Sequence, residues 1–279
     1  MLPTQIECLF DEAPAHFEEK HQRLFRDFKA ALNRGEVRAA EPDASTKSGW
    51  RANAWVKKGI LLGFRMGAMA DMSIDAVKQP FFDKSTYPVR AFTSSDGVRI
   101  VPGGSSIRDG SYVGRGVICM PPMFVNVGAY VGEGTLIDSH ALVGSCAQVG
   151  RNCHLSAGAQ IGGVLEPVGA LPVIIEDEVL VGGNSGVYEG TVVKRRAVLG
   201  TGTILNRSIP VYDLVREKIY TATETEPVVI PEEAVVVPGA RAVSHPTGAK
   251  WGLSLQAAVI VKYRDAKTDA RIQLEDLLR

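Results

Sequence analysis

Residues 143–167 read VGSCAQVGRNCHLSAGAQIGGVLEP, and within them Val143, Val149, Leu155 and Ile161 recur at every sixth position. A period of six is neither the two of a strand nor the 3.6 of a helix. The same beat runs back through Ile137, Val131, Val125, Cys119 and Val113 to Ile107. It breaks after Ile161 and resumes in a new phase at Ile175, Val181, Val187, Val193 and Leu199. Four residues after most beats stands a small side chain, as at Ala129, Thr135, Ala141, Ala147, Cys153 and Ala159. Three after the beat, glycine or asparagine is frequent (Gly110, Gly128, Gly134, Asn152, Gly158, Asn184), and these residues tolerate positive φ.

That combination describes a short strand, a sharp corner and another strand six residues on. Three strands close a triangular coil of about eighteen residues, with each beat residue pointing inward onto its counterpart one coil away. The reading is a mainly β protein built on a parallel β-helix of about five coils, residues 101–205. The segment PVGALPVI (167–174) is inserted between Glu166 and Ile175, so a loop must leave the prism at a corner. Loops extruded from a rigid scaffold often carry function.

The flanks change character. Residues 14–34 predict a helix from the spacing of Phe17, Leu24, Phe25, Phe28 and Leu32, with Pro14 in its first turn and Gly35 just past its end. A second helix is expected over 50–66, and the Pro-, Gly- and Ser-rich stretch 80–106 leads into the prism. Residues 1–100 therefore form a small α-helical N-terminal domain with a lead-in. After Leu205 the beat fades, and 206–279 reads as a cap of strands and turns, including LQAAVIVKYR (255–264). A short helix with Ile272, Leu274, Leu277 and Leu278 ends it.

Composition narrows the function classes. The chain carries 31 basic and 31 acidic side chains, which predicts no nucleic-acid or membrane-surface partner. No apolar run has the length of a membrane span, and the start MLPTQIECLFDEAP lacks the regions of a signal peptide. Cys8, Cys119, Cys146 and Cys153 form no CxxC pair, and Cys146 and Cys153, inside the six-residue pattern, read as reduced core thiols of a cytoplasmic protein. Prisms of this kind can hold a zinc ion between three histidines, but only His140 and His154 lie in this one. The regular threonine columns of an ice-binding face are absent, as is the Gly-rich α/β domain of a nucleotidyl-sugar transferase. What remains is acyl transfer from a coenzyme A thioester, with no metal or prosthetic group.

Several stretches go further than the repeat. WVKKGILLGFR (55–65), FFDK (81–84), VRIVPGGSSIRDG (98–110), FVNVGAYVGEGTLID (124–138), VYEG (187–190) and AVIVKYRDAKT (258–268) resemble the tetrahydrodipicolinate N-succinyltransferase family over about residues 50–279. The resemblance implies a left-handed coil, a homotrimer with active sites between subunits, and transfer of a succinyl group from succinyl-CoA to a ring-opened dicarboxylate amine in diaminopimelate and lysine synthesis. It equates Arg99 with the arginine that grips the substrate carboxylate. Asp138 and Glu189 match the two acids flanking the substrate amine, one acting as base or orienting the amine. The chemistry asks for such groups: a base for the amine, donors for the thioester oxygen, and cations or N–H groups for the carboxylates. Another CoA-dependent N-acyltransferase, with an acetyl donor or a different amine, is the alternative.

Periodicity adds its own expectations. Asp138 and Ser156 are eighteen residues apart and should stack on one face in successive coils. Ser156, Ala157 and Gly158, with Gly162 and Gly163, would let the pantetheine arm approach the backbone, and Lys194 could meet the CoA phosphates. His154 falls at the last position of its hexad and is expected at a corner. Tyr130, Tyr188 and Met123 would be exposed on an isolated prism and available for lateral association.

Overall fold

All fifteen beat residues point into the prism in the computed structural model, which describes residues 1–266 and Thr268, and none is more than 5 % exposed. Each occupies the second place of a two-residue strand whose first residue faces outward. The strands pair in parallel with a step of one coil: Tyr130 with Gln148, Leu136 with His154, Leu142 with Gln160. The register survives the insertion, since Gln148 pairs with Ile174 and His154 with Leu180. The small side chains four after the beat are buried too, among them Ser111, Thr135, Ala147, Ser185 and Thr203. Their hydroxyls donate to carbonyls within the chain, Thr135 Oγ1 to Gly150 and Ser185 Oγ to Gly200, so a buried hydroxyl is satisfied there. The result is a left-handed parallel β-helix.

The prism has three flat faces, each with a column of outward residues. The docking face carries Tyr112, Tyr130, Gln148, Ile174, Val192 and Val229. The histidine face carries Arg99, Ile118, Leu136, His154, Leu180 and Val198. The phenylalanine face carries Ser106, Phe124, Leu142, Gln160, Gly186 and Ile204. His154 thus stands on a flat face, not at a corner as its place in the hexad suggested; the first strand residue must point outward when the second points in.

The coil extends past Leu205. After an excursion over residues 206–228, Val229–Ile230 continues the docking face and Ala234–Ala242 the histidine face. Ala234–Ala242 then pairs antiparallel with Ser254–Tyr263 across the short helix Pro246–Lys250. The short C-terminal helix expected around Ile272–Leu278 lies outside the described residues.

Three helices form the N-terminal domain, α1 (Leu2–Glu12), α2 (Glu19–Asn33) and α3 (Ala54–Met66), with α2 and α3 against the prism and α1 packed on them. The helix expected over 14–34 is α2, which starts five residues after Pro14 at a capping box between Glu18 and His21, whereas α1 was not expected from the sequence. Gly35 follows α2 at φ 71, as its predicted end requires. Trp50–Ala52 forms a strand with Ala40–Pro42 rather than the first turn of α3. Gly59 and Gly63 on α3 admit the rings of Phe28, Phe25 and Tyr87; a Cβ on Gly63 would lie 2.1 Å from the Tyr87 hydroxyl oxygen.

This domain core takes in Val127 and Cys146 from the prism. Cys146 sits three after a beat, at φ 68, and so turns outward under α3 rather than into the prism. Tyr130 is likewise covered, with the Arg38 guanidinium 3.7 Å from its ring, and Met123 is buried in the prism core, so neither offers the lateral surface expected of it.

Candidate active site

The corners of the prism form three edges, and the predicted residues divide among them. Asp138 and the run Ser156–Gly158 occupy the edge between the histidine and phenylalanine faces. Asp138 and Ser156 stack one coil apart, as eighteen-residue spacing requires: the Asp138 N–H donates to Leu155 and the Ser156 N–H to Val181. One Asp138 oxygen accepts the N–H of Ser139 at 2.7 Å, which fixes the carboxylate at the corner. Arg99 opens the histidine face, two strands below the level of Leu136, and is exposed. These residues share one side of the molecule.

The backbone around Ser156 is mostly engaged. The amide of Gly158 donates to Ser139, and Asn184 donates to the carbonyl of Ala157. Ala157 is exposed, and its own N–H has no hydrogen-bond partner among the described residues. A Cβ on Gly158 would lie 2.4 Å from Asn184 Oδ1, so that glycine is required by coil stacking as well as by its φ of 71°.

Gly162, Gly163 and Glu189 lie on the next edge, between the phenylalanine and docking faces, where the inserted loop departs. They line a cavity of about 960 Å³ together with Trp50, Leu171, Tyr188 and Arg207. Both glycines are demanded by packing: a Cβ on Gly162 would meet Tyr188, and one on Gly163 would come within 2.4 Å of the Ser145 nitrogen. Glu189 is exposed at the cavity wall, and its Oε2 accepts the backbone N–H of Arg207 at 2.9 Å. Glu189 and Gly190 are both left-handed, at φ 53 and 73, whereas other corners place only the third residue after the beat there. Two consecutive positive φ values turn this corner more sharply than its neighbours.

Lys194 stands on the third edge, away from both groups. Its ammonium is bound to the carbonyl of Ser48 at 2.7 Å and to Glu176 at 2.8 Å. The Trp50 indole also donates to Glu176, so the lysine clamps the N-terminal domain onto the prism. Trp50 and Arg207 were not singled out from the sequence, and Tyr188 was expected only as a surface for lateral association. Arg207 had a usable signal, because it lies eighteen residues after Glu189 and must stack on it. Trp50 had none, since nothing local relates it to the prism.

Asp138 and Glu189 do not meet within one chain. Glu189 follows the strand Gly186–Val187, which is two strands above Leu142–Val143 on the face that separates the two edges. Two strand spacings amount to about 10 Å in height alone. A single chain therefore keeps the two acids on separate edges.

Comparison with known proteins fits this architecture. The model for the N-terminal domain of tetrahydrodipicolinate N-succinyltransferase matches residues 1–66, so the resemblance begins at the first residue rather than near residue 50. The model for the hexapeptide repeat of succinyl-transferase matches residues 172–207. A 2,3,4,5-tetrahydropyridine-2,6-dicarboxylate N-succinyltransferase of Xylella fastidiosa is 44 % identical over 89 % of this chain and 85 % of its own. One from Herminiimonas arsenicoxydans is 41 % identical over the full length of both. A solved Campylobacter jejuni structure, provisionally named a 2,3,4,5-tetrahydropyridine-2-carboxylate N-succinyltransferase, shares the fold at TM-score 0.51 and 16 % identity. That match covers 86 % of this chain and 62 % of the other. The chain belongs to the 2,3,4,5-tetrahydropyridine-2,6-dicarboxylate N-succinyltransferase family.

Proposed function

We propose that this chain transfers the succinyl group of succinyl-CoA to the amino group of ring-opened tetrahydrodipicolinate, in diaminopimelate and lysine synthesis in the cytoplasm, and that it does so as a homotrimer. The observation that carries the reading is the separation of Asp138 and Glu189 onto two edges of one prism. The aspartate edge of one copy, set against the glutamate edge of its neighbour, would flank a single substrate amine with both carboxylates. Repetition of that head-to-tail contact around a threefold axis closes the assembly.

In the reaction the amine nitrogen attacks the thioester carbon, a C–N bond forms, and the C–S bond breaks to release coenzyme A as its thiol. One of Asp138 and Glu189 takes the proton the amine sheds and returns it to the leaving sulfur, and the other holds the amine in line. Arg99 pairs with a substrate carboxylate. The unpartnered N–H of Ala157, in the run Ser156–Gly158, is placed to donate to an acyl-donor carbonyl lying along that edge. Gly162 and Gly163 keep the wall near Glu189 flat. The family's donor is a coenzyme A thioester, and succinyl-CoA is the proposed one here.

The test is a thiol-release assay with tetrahydrodipicolinate, comparing succinyl-CoA with acetyl-CoA at equal concentration. Higher kcat/KM with succinyl-CoA is expected. Higher kcat/KM with acetyl-CoA would overturn the donor, and no thiol release with either would overturn the reaction.

A further inference from the structure

Lys57 on α3 is completely buried, a costly place for an ammonium. Among the described residues no carboxylate pairs with it. The ionisable group beside it is the thiol of Cys146, which burial pushes up to about 12 and which is therefore uncharged at neutral pH. The same burial pulls the lysine below its usual value, and a neutral sulfur offers no compensating charge. The surrounding contacts between α3 and the prism are apolar, through Val56 and Ile60 against Val127 and Cys146. An aliphatic side chain would serve that packing equally well.

What the ammonium does hold is the inserted loop. Its Nζ donates to the carbonyl oxygen of Ala170 at 2.5 Å. The next residue, Leu171, packs with Trp50, Ile174 and Val192, and its carbonyl oxygen lies 2.7 Å from where a Cβ on Gly190 would stand. The loop is thus seated on the corner formed by Glu189 and Gly190. Its other neighbour at that corner is the backbone of Arg207, which fixes the Glu189 carboxylate from the coil above.

We infer that Lys57 is a positioning residue for Glu189: through Ala170 and Leu171 it clamps the inserted loop onto the Glu189–Gly190 corner and so sets the direction of the carboxylate. This rests on the catalytic reading of Glu189 given above. It also explains why a charged side chain is kept inside an apolar contact, where only its hydrogen bond distinguishes it from methionine.

The experiment is a double-mutant cycle on the full-length protein with Lys57→Met and Glu189→Gln, read as kcat and KM, alongside thermal unfolding. Lys57→Met is expected to lower kcat by about tenfold or more with KM changed far less and with Tm maintained. In the Glu189→Gln background the same substitution should cost almost nothing, because the group it positions is already gone. A kcat like that of the parent, or a full additive loss in the double variant, would overturn the inference. Hydrogen exchange of the amides of residues 168–172 gives a second readout, expected to rise by about tenfold in Lys57→Met while the coil amides of Val149 and Leu155 stay protected. Unchanged loop exchange would also overturn it. Should Lys57→Met not fold, Lys57→Gln keeps an N–H donor and is expected to retain kcat within a few-fold of the parent; a loss as large as that predicted for Met would count against the latch. If Glu189→Gln alone turned over normally, the catalytic reading would fall, whereas the exchange measurement would still judge the latch on its own.

Discussion

Glu189 accepts a hydrogen bond from the backbone N–H of Arg207, its stacking partner one coil above, while holding a left-handed backbone that a glutamate seldom adopts. The strain of that conformation is of the order of 1 kcal/mol. The carboxylate is held at the cavity rim by a main-chain donor that no side-chain substitution removes. On the other edge Asp138 is held in the same manner by the N–H of Ser139. Asp138 is therefore aimed by the turn that bears it and Glu189 by the coil above it, which suits groups that must meet a substrate in a fixed direction.

Replacing either acid by its amide keeps size and most hydrogen bonding but removes the capacity to take a proton. Glu189→Gln and Asp138→Asn are each expected to lower kcat by roughly 10²-fold or more in the thiol-release assay. Near-parental rates in both variants would take them out of the mechanism.

The inserted loop and its flanks contain two glycines with opposite expectations. A Cβ on Gly163 would meet the backbone of Ser145 at 2.4 Å, so Gly163→Ala should cost about 1–3 kcal/mol. A Cβ on Gly169 would meet nothing within 4 Å, and Gly169→Ala should be neutral or stabilising by up to about 1 kcal/mol. Urea unfolding of the two variants checks the contrast.

Burial pushes the thiols of Cys119, Cys146 and Cys153 up to about 12, while Cys8 is exposed. A thiolate-selective reagent at pH 8 should therefore modify one thiol rapidly in the native protein and all four only after unfolding. Cys8→Ser should abolish the rapid phase. Rapid reaction of a second thiol would contradict the packing of the prism.

Asp213 is buried beneath the C-terminal ribbon. Its desolvation is outweighed by hydrogen bonds from the Tyr263 hydroxyl at 2.6 Å and from the amides of Arg216 and Val215, with Tyr220 adding a longer one. Its carboxyl is held below the usual aspartate value, so the stability it contributes is present above about pH 4 and is lost as pH falls through the lowered folded value. Asp213→Asn should lower stability by roughly 1–3 kcal/mol at pH 7. The gap between variant and parent should narrow in urea titrations at pH 3; a gap that widened on acidification would contradict the assignment.

The scaffold was legible because one rule governs it everywhere. A six-residue beat with a small residue four places on has a single packing solution, and Val143, Val149 and Leu155 follow it without exception. What escaped the pattern are places where the prism meets something else. Cys146 obeys the corner position yet faces α3, and Tyr130 lies on an outward column yet is capped by Arg38. Those contacts join residues more than eighty positions apart, and no local period encodes them. The division of the predicted site follows the same logic. The spacing of eighteen correctly stacks Asp138 with Ser156, but Glu189 is not a whole number of coils from Asp138 once the insertion is removed. It falls on another edge, and in the proposed trimer a neighbouring copy would reunite the pair.

That reunion is the central claim, and mixing two inactive variants tests it most directly. Asp138→Asn and Glu189→Gln chains, co-expressed in equal amounts, would assemble with intact half-sites facing each other at about a quarter of the contacts. The account predicts recovery of roughly a quarter of parental kcat in the mixed assemblies, far above either variant alone. Mixed assemblies no more active than the separate variants would contradict an active site shared between copies.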